Sequence, residues 1–299
     1  MSQALPETLA RVRSAVDARL PELLARGPSS GLLEDPRDPL PAAAREALLS
    51  PGKRVRPGLV FLAGALFGAK EDRLLDPACA VEMIHAASLA LDDLPSMDDA
   101  TTRRGRPALH AVHGEDLAIL AAMTLVVRAF GVLADAGLST LRPAAALDLV
   151  SRLADASGLW GLSSGQALDL RTGEADASFD RLETIHARKT GALFVAAAEF
   201  GAVLGGARER ELAAVRSYAK NVGLAFQIVD DLLEKEDPSR TGKQARRAPA
   251  PTFVRHVGEE GARRLVAELT LHAVEALEPF GARAALLTEF ASLLRDRSA

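Results

Sequence analysis

The sequence predicts an all-α protein, and three observations predict it. Of the 299 residues, 57 are Ala and 47 are Leu, strong helix formers before Glu, Arg, Lys and Met are added. Apolar residues recur at helical spacing through most of the chain, with Pro and Gly clusters between the segments. Alternating β-branched stretches are almost absent, and there is one Trp and one Tyr. A chain of this length and pattern is expected to form a single helical domain over residues 1–299 with a large core.

Taken in order, Leu5–Ala25 predicts a first amphipathic helix, and Gly27–Pro41, with four prolines and two glycines, predicts a loop. Helices are expected over Ala42–Leu49, Arg56–Phe67, Pro77–Leu94, Glu115–Asp135, Arg142–Thr172, Phe179–Leu204, Glu209–Leu233 and Glu259–Leu277, with a last one ending at Arg295. Lys235–Pro251, rich in Pro, Arg and Lys, is expected as a loop.

Composition excludes several classes. With 36 Lys+Arg against 40 Asp+Glu the net charge is −4, so no basic excess marks a nucleic-acid partner. A single cysteine, Cys79, allows no internal disulfide and no Cys-based metal site. The longest charge-free runs, Pro57–Ala69 and Ala156–Leu168, are 13 residues, short of the roughly 20 apolar residues of a membrane span. Glu7, Arg11 and Arg13 stand where a secretory signal needs an apolar run, so a cytoplasmic location is expected. His110, His113 and Glu115 form an HxxHxE string, read as loop and not as a zinc site.

Two acidic clusters carry the chemistry. In AASLALDDLPSMDDA the apolar run enters Asp92-Asp93 directly, and Pro95 must end the helix near Leu94. Asp98, six residues beyond Asp92, would not share its face on an unbroken helix; after the break it can fold back toward it. In FQIVDDLLEKED, Asp230 and Glu234 are i and i+4, neighbours on one face that repel unless a cation lies between them. Oxygen donors without His or Cys favour a hard ion, and Mg2+ commonly takes one or two carboxylates plus substrate phosphate oxygens. Four basic groupings complement them: Gly52–Pro57, Arg103–Pro107, Arg188–Gly191 and Thr241–Lys243. Arg forks and Lys point charges hold phosphate. Together these point to diphosphates bound partly through Mg2+ and partly directly. No Ser/His/Asp or Cys/His arrangement offers a nucleophile.

In order along the chain, GKRVRP, DDLPSMDD, RRGRP, GQALDL, KTGALF and FQIVDD resemble the motifs of the trans-isoprenyl diphosphate synthases, with the nearer likeness to bacterial geranylgeranyl diphosphate synthases of carotenoid pathways. The resemblance spans about Ser50 to Ala262. It implies an isoprenoid-synthase fold, with antiparallel helices around a central apolar cavity, and a homodimer that condenses isopentenyl diphosphate with allylic diphosphates. It implies three Mg2+ ions bridging the allylic diphosphate, ligated by Asp92, Asp98, Asp230 and Glu234, with Asp93 and Asp231 in support. Arg103, Lys189 and Lys243 are implied as further contacts to that diphosphate, and Thr190 and Gln227 as the lining of the reacting centre. Lys53, Arg56, His85 and Arg104 are implied as the isopentenyl diphosphate site.

Chain length is expected to follow what blocks the cavity below Asp92. Ala87 and Ser88, about one turn deeper, are both small, and the resemblance implies that an aromatic at the first of them goes with a farnesyl product, which favours C20 here; Met83 is the candidate floor. Three positions depart from the family pattern. Glu234 replaces an aspartate, Pro51 replaces a glycine, and the loop QARRAPAPTF after Lys243 is short and lacks the usual lysine, with Arg246 and Arg247 nearby. The altered loop opens two alternatives beside the C20 enzyme, a non-catalytic partner subunit of a heteromeric prenyl synthase or a terpene cyclase, and a farnesyl (C15) synthase is the alternative on chain length.

Overall fold

The computed structural model describes residues 3–26, 35–236, 244–245 and 251–296. Its helices are α1 (Ala4–Ala25), α2 (Leu40–Leu49), α3 (Val55–Leu66), α4 (Glu71–Asp92), α5 (Leu109–His113), α6 (Glu115–Ser139), α7 (Pro143–Ser157), α8 (Leu162–Arg171), α9 (Phe179–His186), α10 (Ala192–Leu204), α11 (Glu209–Glu236), α12 (Phe253–Ala276) and α13 (Ala285–Arg295). The all-α expectation holds. A large core cluster joins α1 to α7, α10, the first half of α11 and α13. A second cluster joins α9, the end of α11 and α12, through Leu182, Ile228, Val229, Phe253 and Val266. Glycine lets α3 and α10 touch: a Cβ on Gly201 would lie 2.2 Å from the Val60 carbonyl oxygen.

Several boundaries differ from those expected. Helix α4 starts at Glu71, so Pro77 sits inside it and costs one backbone hydrogen bond. The predicted helix Arg142–Thr172 is two helices, broken at Gly158–Gly161. A Cβ on Gly161 would lie 2.0 Å from the Ala156 carbonyl oxygen, an approach that only glycine permits. The predicted helix Phe179–Leu204 is continuous but widens into a π-turn at Ala187–Gly191. Helix α12 begins at Phe253, where Thr252 Oγ1 accepts from the Arg255 N–H at 3.3 Å, and it kinks at Gly258 (φ 73°).

A small sheet that the apolar spacing does not announce starts just after the first acidic cluster. Strand β1 (Ala100–Arg103) pairs antiparallel with β2 (Arg106–Pro107) and with β3 (Gln244–Ala245). The β1–β2 turn is Arg104-Gly105, with φ of 53° and 74°, the two positive values of a type I′ hairpin. Apart from β3 and the first and last residues, the predicted loop Lys235–Pro251 lies outside the described residues, and Lys243, Arg246 and Arg247 with it.

Helices α4 and α6 are each long and apolar enough to cross a bilayer by length and composition. In the fold most of the α4 segment is packed inside; the α6 segment buries one face and exposes the other.

Candidate active site

The chain folds back after α4 as Pro95 requires. Asp98 N–H donates to the Asp92 carbonyl at 3.0 Å and Ala100 N–H to the Asp93 carbonyl at 3.0 Å. This return brings Asp98 beside Asp92 and starts β1. Asp92 and Asp98, from the α4 end, and Asp230 and Glu234, from α11, line one cavity of about 990 Å³. The same cavity is lined by Lys53, Arg56, His85, Ser88, Arg103 and Arg104 on one side and by Lys189, Thr190 and Gln227 on another. Thirteen predicted site residues therefore meet in one place.

The adjacent aspartates part company. Asp93 is buried and receives the Arg103 guanidinium through Nε at 2.9 Å and through a second bond from Nη2. Burial alone would lower the Arg103 pKa, but Asp93, with Asp92 and Asp98, raises it. Asp93 thus holds an arginine and does not face the cavity. Asp231 is likewise turned away. Its Oδ1 accepts from Gln227 Nε2 at 2.9 Å, and Gln227 Oε1 accepts from the Thr190 hydroxyl at 2.7 Å. Burial, reinforced by Asp230 and Glu234, pushes the Asp231 carboxyl up to about 8, and its Oδ2 is buried with no hydrogen-bond partner among the described residues.

That electrostatic deficit is the observation against which Mg2+ can be tested. The acidic clusters offer the cavity four carboxylates and no His or Cys, and on α11 the charges of Asp230 and Glu234 oppose that of Asp231. Among the described residues no three acidic, His or Cys side chains converge closely enough to hold a metal ion by themselves. Open oxygen sites of this kind suit an ion that takes part of its coordination from substrate phosphate. The residues fit the ion.

The basic groups divide by their partners. Arg54 is buried and bonds Asp17 at 2.7 Å and Glu82 at 2.7 Å, and these carboxylates outweigh burial and raise its pKa. Arg56 has no such clamp. Burial pulls it down to about 10, it lies over the Phe194 ring at 4.9 Å, and its Nε has no hydrogen-bond partner among the described residues. Arg104 is also lowered by burial, its Nη1 donating to the Pro51 carbonyl at 2.5 Å. His85, between these arginines, is held well below its ordinary pKa by burial and by their charge, so it enters the site as a neutral imidazole. All four arginines line the cavity; Arg54 and Arg103 are held by carboxylates, whereas at Arg56 and Arg104 an incoming anion would restore what burial has taken away.

Lys189 sits in the π-turn, its Nζ 2.6 Å from Asp169 Oδ2 on α8. Burial opposes its charge, but Asp92 and Asp169 more than compensate. Gly165 permits this approach, since a Cβ there would lie 2.2 Å from the Lys189 nitrogen. Asp169, Arg54, Asp17 and Glu82 were not among the predicted site residues. GQALDL and GKRVRP contain the first two, whereas nothing local marks the others. Ser88 lines the cavity, its hydroxyl bonded to the His85 carbonyl at 2.9 Å. Ala87 and Met83 are fully buried behind it and do not reach the cavity wall. His110 and His113 do not converge: one ring meets the Ala100 carbonyl at 2.9 Å, the other Glu46 at 2.7 Å.

Comparison with known proteins agrees with this geometry. The polyprenyl synthetase sequence profile matches residues 38–247. Geranylgeranyl pyrophosphate synthase 11 of Arabidopsis thaliana is 42% identical over 263 residues, 85% of this chain and 74% of that protein. The geranylgeranyl diphosphate synthase of Pantoea ananas is 43% identical over 221 residues, 73% of this chain and 70% of that protein. The crystal structure of an FPP/GFPP synthase from Zymomonas mobilis superposes with a TM-score of 0.86 at 33% identity, covering 98% of this chain and 100% of that one. A geranyltransferase from Helicobacter pylori, solved with magnesium and isoprenyl diphosphate, superposes with a TM-score of 0.80 at 27% identity over 96% of each chain. Fold, acidic clusters and basic seat therefore have one explanation: the chain belongs to the polyprenyl synthetase family.

Proposed function

We propose that the protein condenses isopentenyl diphosphate with an allylic diphosphate to give the C20 geranylgeranyl diphosphate, with Mg2+ and as a homodimer. The observation that carries the reading is the division of one cavity between carboxylates on α4 and α11 and desolvated arginines at the start of α3 and on the hairpin. Asp92, Asp98, Asp230 and Glu234 would hold Mg2+, which supplies the charge that stabilises the departing diphosphate. Lys189 and Arg103 add fixed positive charge beside it. Lys53, Arg56 and Arg104 hold the second diphosphate, so the double bond of isopentenyl diphosphate lies alongside the allylic carbon it attacks. The Phe194 and Phe226 rings near this seat offer no lone pair to capture the cation. The Thr190–Gln227–Asp231 chain fixes the wall between the two sites.

Incubation with isopentenyl diphosphate and dimethylallyl, geranyl or farnesyl diphosphate, with products resolved by length, tests this. A C20 diphosphate that vanishes with EDTA is expected. Ser88→Phe, which places a ring in the cavity about one turn below Asp92, is expected to stop the chain at C15. A C15 product from the unaltered protein would replace the C20 reading with the farnesyl one, and no product from any starter would favour the partner-subunit reading.

The dimer reading is supported by α6. Ile119, Met123 and Val127, at helical spacing, are 47%, 57% and 66% exposed, beside exposed Val112 and Leu120. A second copy laid on this face would cover it. Val127→Glu is expected to convert a dimer into a monomer in light-scattering chromatography; an unchanged mass for variant and parent would place any interface elsewhere.

A further inference from the structure

We propose that Asp17 on α1 and Glu82 on α4 are positioning residues that shape the isopentenyl diphosphate seat by holding Arg54, so that the first helix is part of the active site. The inference rests on the reading of Lys53, Arg56 and Arg104 as that seat.

Arg54 has φ 49° and ψ 43°, a left-handed conformation that is strained for a non-glycine residue. Something must hold it there. Its side chain is 4% exposed, with Nε on Asp17 Oδ1 at 2.7 Å and Nη1 on Glu82 Oε1 at 2.7 Å. Nη2 turns back onto the Ser50 carbonyl at 3.3 Å, tying the loop to itself. Meanwhile the Arg54 carbonyl accepts from the Gly58 N–H at 2.9 Å and so starts α3. One residue therefore has its side chain fixed to α1 and α4 and its backbone turned left-handed at the head of α3.

That turn sets where its neighbours point. Lys53, one residue before, and Arg56, two after, both line the cavity. Gly52 shows how tightly the loop is gripped: a Cβ there would lie 3.0 Å from Arg104 Nη1 and 3.4 Å from Arg54 Nη1. The loop is thus pinned from one side by Arg104 on Pro51 and from the other by Arg54. Asp17 and Glu82 sit on different helices and are met by different nitrogens of one guanidinium, a geometry that a lysine ammonium cannot reproduce. They also offset one of several clustered cations, lowering the repulsion that would otherwise splay the seat.

Asp17 lies on the surface of α1 with its side chain 42% exposed, so Asp17→Asn removes the charge without opening the core. Glu82→Gln is the second variant, carried forward only if its melting curve shows it folded. The Michaelis constants for isopentenyl and allylic diphosphate are measured separately. Asp17→Asn is expected to raise the isopentenyl constant about tenfold, with the allylic constant and kcat held within about twofold. A general loosening of the fold would move both constants, and that result, or an unchanged isopentenyl constant, overturns the proposal. Calorimetric binding of isopentenyl thiolodiphosphate separates this from the functional reading. If the parent elongates nothing yet binds the analogue about tenfold tighter than Asp17→Asn, the function fails and the clamp stands. Equal binding, or binding to neither, overturns the clamp.

Discussion

Asp93→Ala is expected to cost the fold roughly 3 kcal/mol and the reaction about a hundredfold, because it strands a largely buried guanidinium at the edge of the cavity. Asp92→Ala, one residue away, is expected to leave the melting temperature unchanged or higher while lowering kcat by about a thousandfold or more. The two aspartates differ because α4 ends between them. Asp92 is the last helical residue and lines the cavity, whereas Asp93 turns inward to Arg103. Removing Asp92 deletes a carboxylate from a place already rich in them; removing Asp93 takes from Arg103 the carboxylate that its guanidinium bonds. Thermal melts and Mg2+-dependent initial rates on the two variants separate the roles. A stable, inactive Asp93→Ala would make Asp93 a direct ligand and contradict the pairing.

The second large effect is on acid stability. His186 closes α9 at the entry to the π-turn, 6% exposed, with its ring 5.3 Å from the Phe253 ring and neither nitrogen bonded among the described residues. Burial pulls its pKa down to about 4, Asp169 and Lys189 acting in opposite senses. Between pH 6.5 and about 4 the unfolded chain takes up a proton that the folded one refuses. This contribution to stability is complete above pH 6.5 and falls as the pH drops through that window, by about 3 kcal/mol in all. His186→Phe removes the titrating group and keeps an aromatic ring against Phe253. Urea unfolding at pH 7 and pH 4.5 is expected to show the parent losing about 2 kcal/mol more than the variant. Equal losses would mean that the imidazole is solvated or paired in the native state.

Much of this was legible in the sequence where the cause was local. Pro95 forces the end of α4, and the return of Asp98 to Asp92 follows from that single residue. Asp230 and Glu234 share a face because four residues make about one turn. Other features had signals that periodicity overrode. Gly158 and Gly161 bracket the break between α7 and α8, yet the flanking apolar spacing reads as one helix. Arg104-Gly105 is a fair pair for a primed turn, but strands of four and two residues are too short to announce themselves. The π-turn leaves no mark, since one extra residue in Ala187–Gly191 changes no composition. Least visible was the sorting of the arginines. Whether Arg54, Arg56, Arg103 or Arg104 is structural depends on Asp17, Glu82 and Asp93, which reach them through folding alone. Ala87 and Met83 were placed by counting back from Asp92, a count that says nothing of which side of α4 meets the cavity.

The hairpin also bears on what lengths of chain this region can tolerate. Arg103 reaches inward to Asp93 and Arg104 outward to Pro51, from consecutive residues at the start of a two-residue turn. Their α-carbons are one trans peptide, about 3.8 Å, apart. If Arg103 serves the allylic diphosphate and Arg104 the isopentenyl one, the spacing between the two reactants is set by a single peptide unit. Insertions or deletions at this turn should then be absent from working descendants of this sequence, even where side chains on either flank are free to drift.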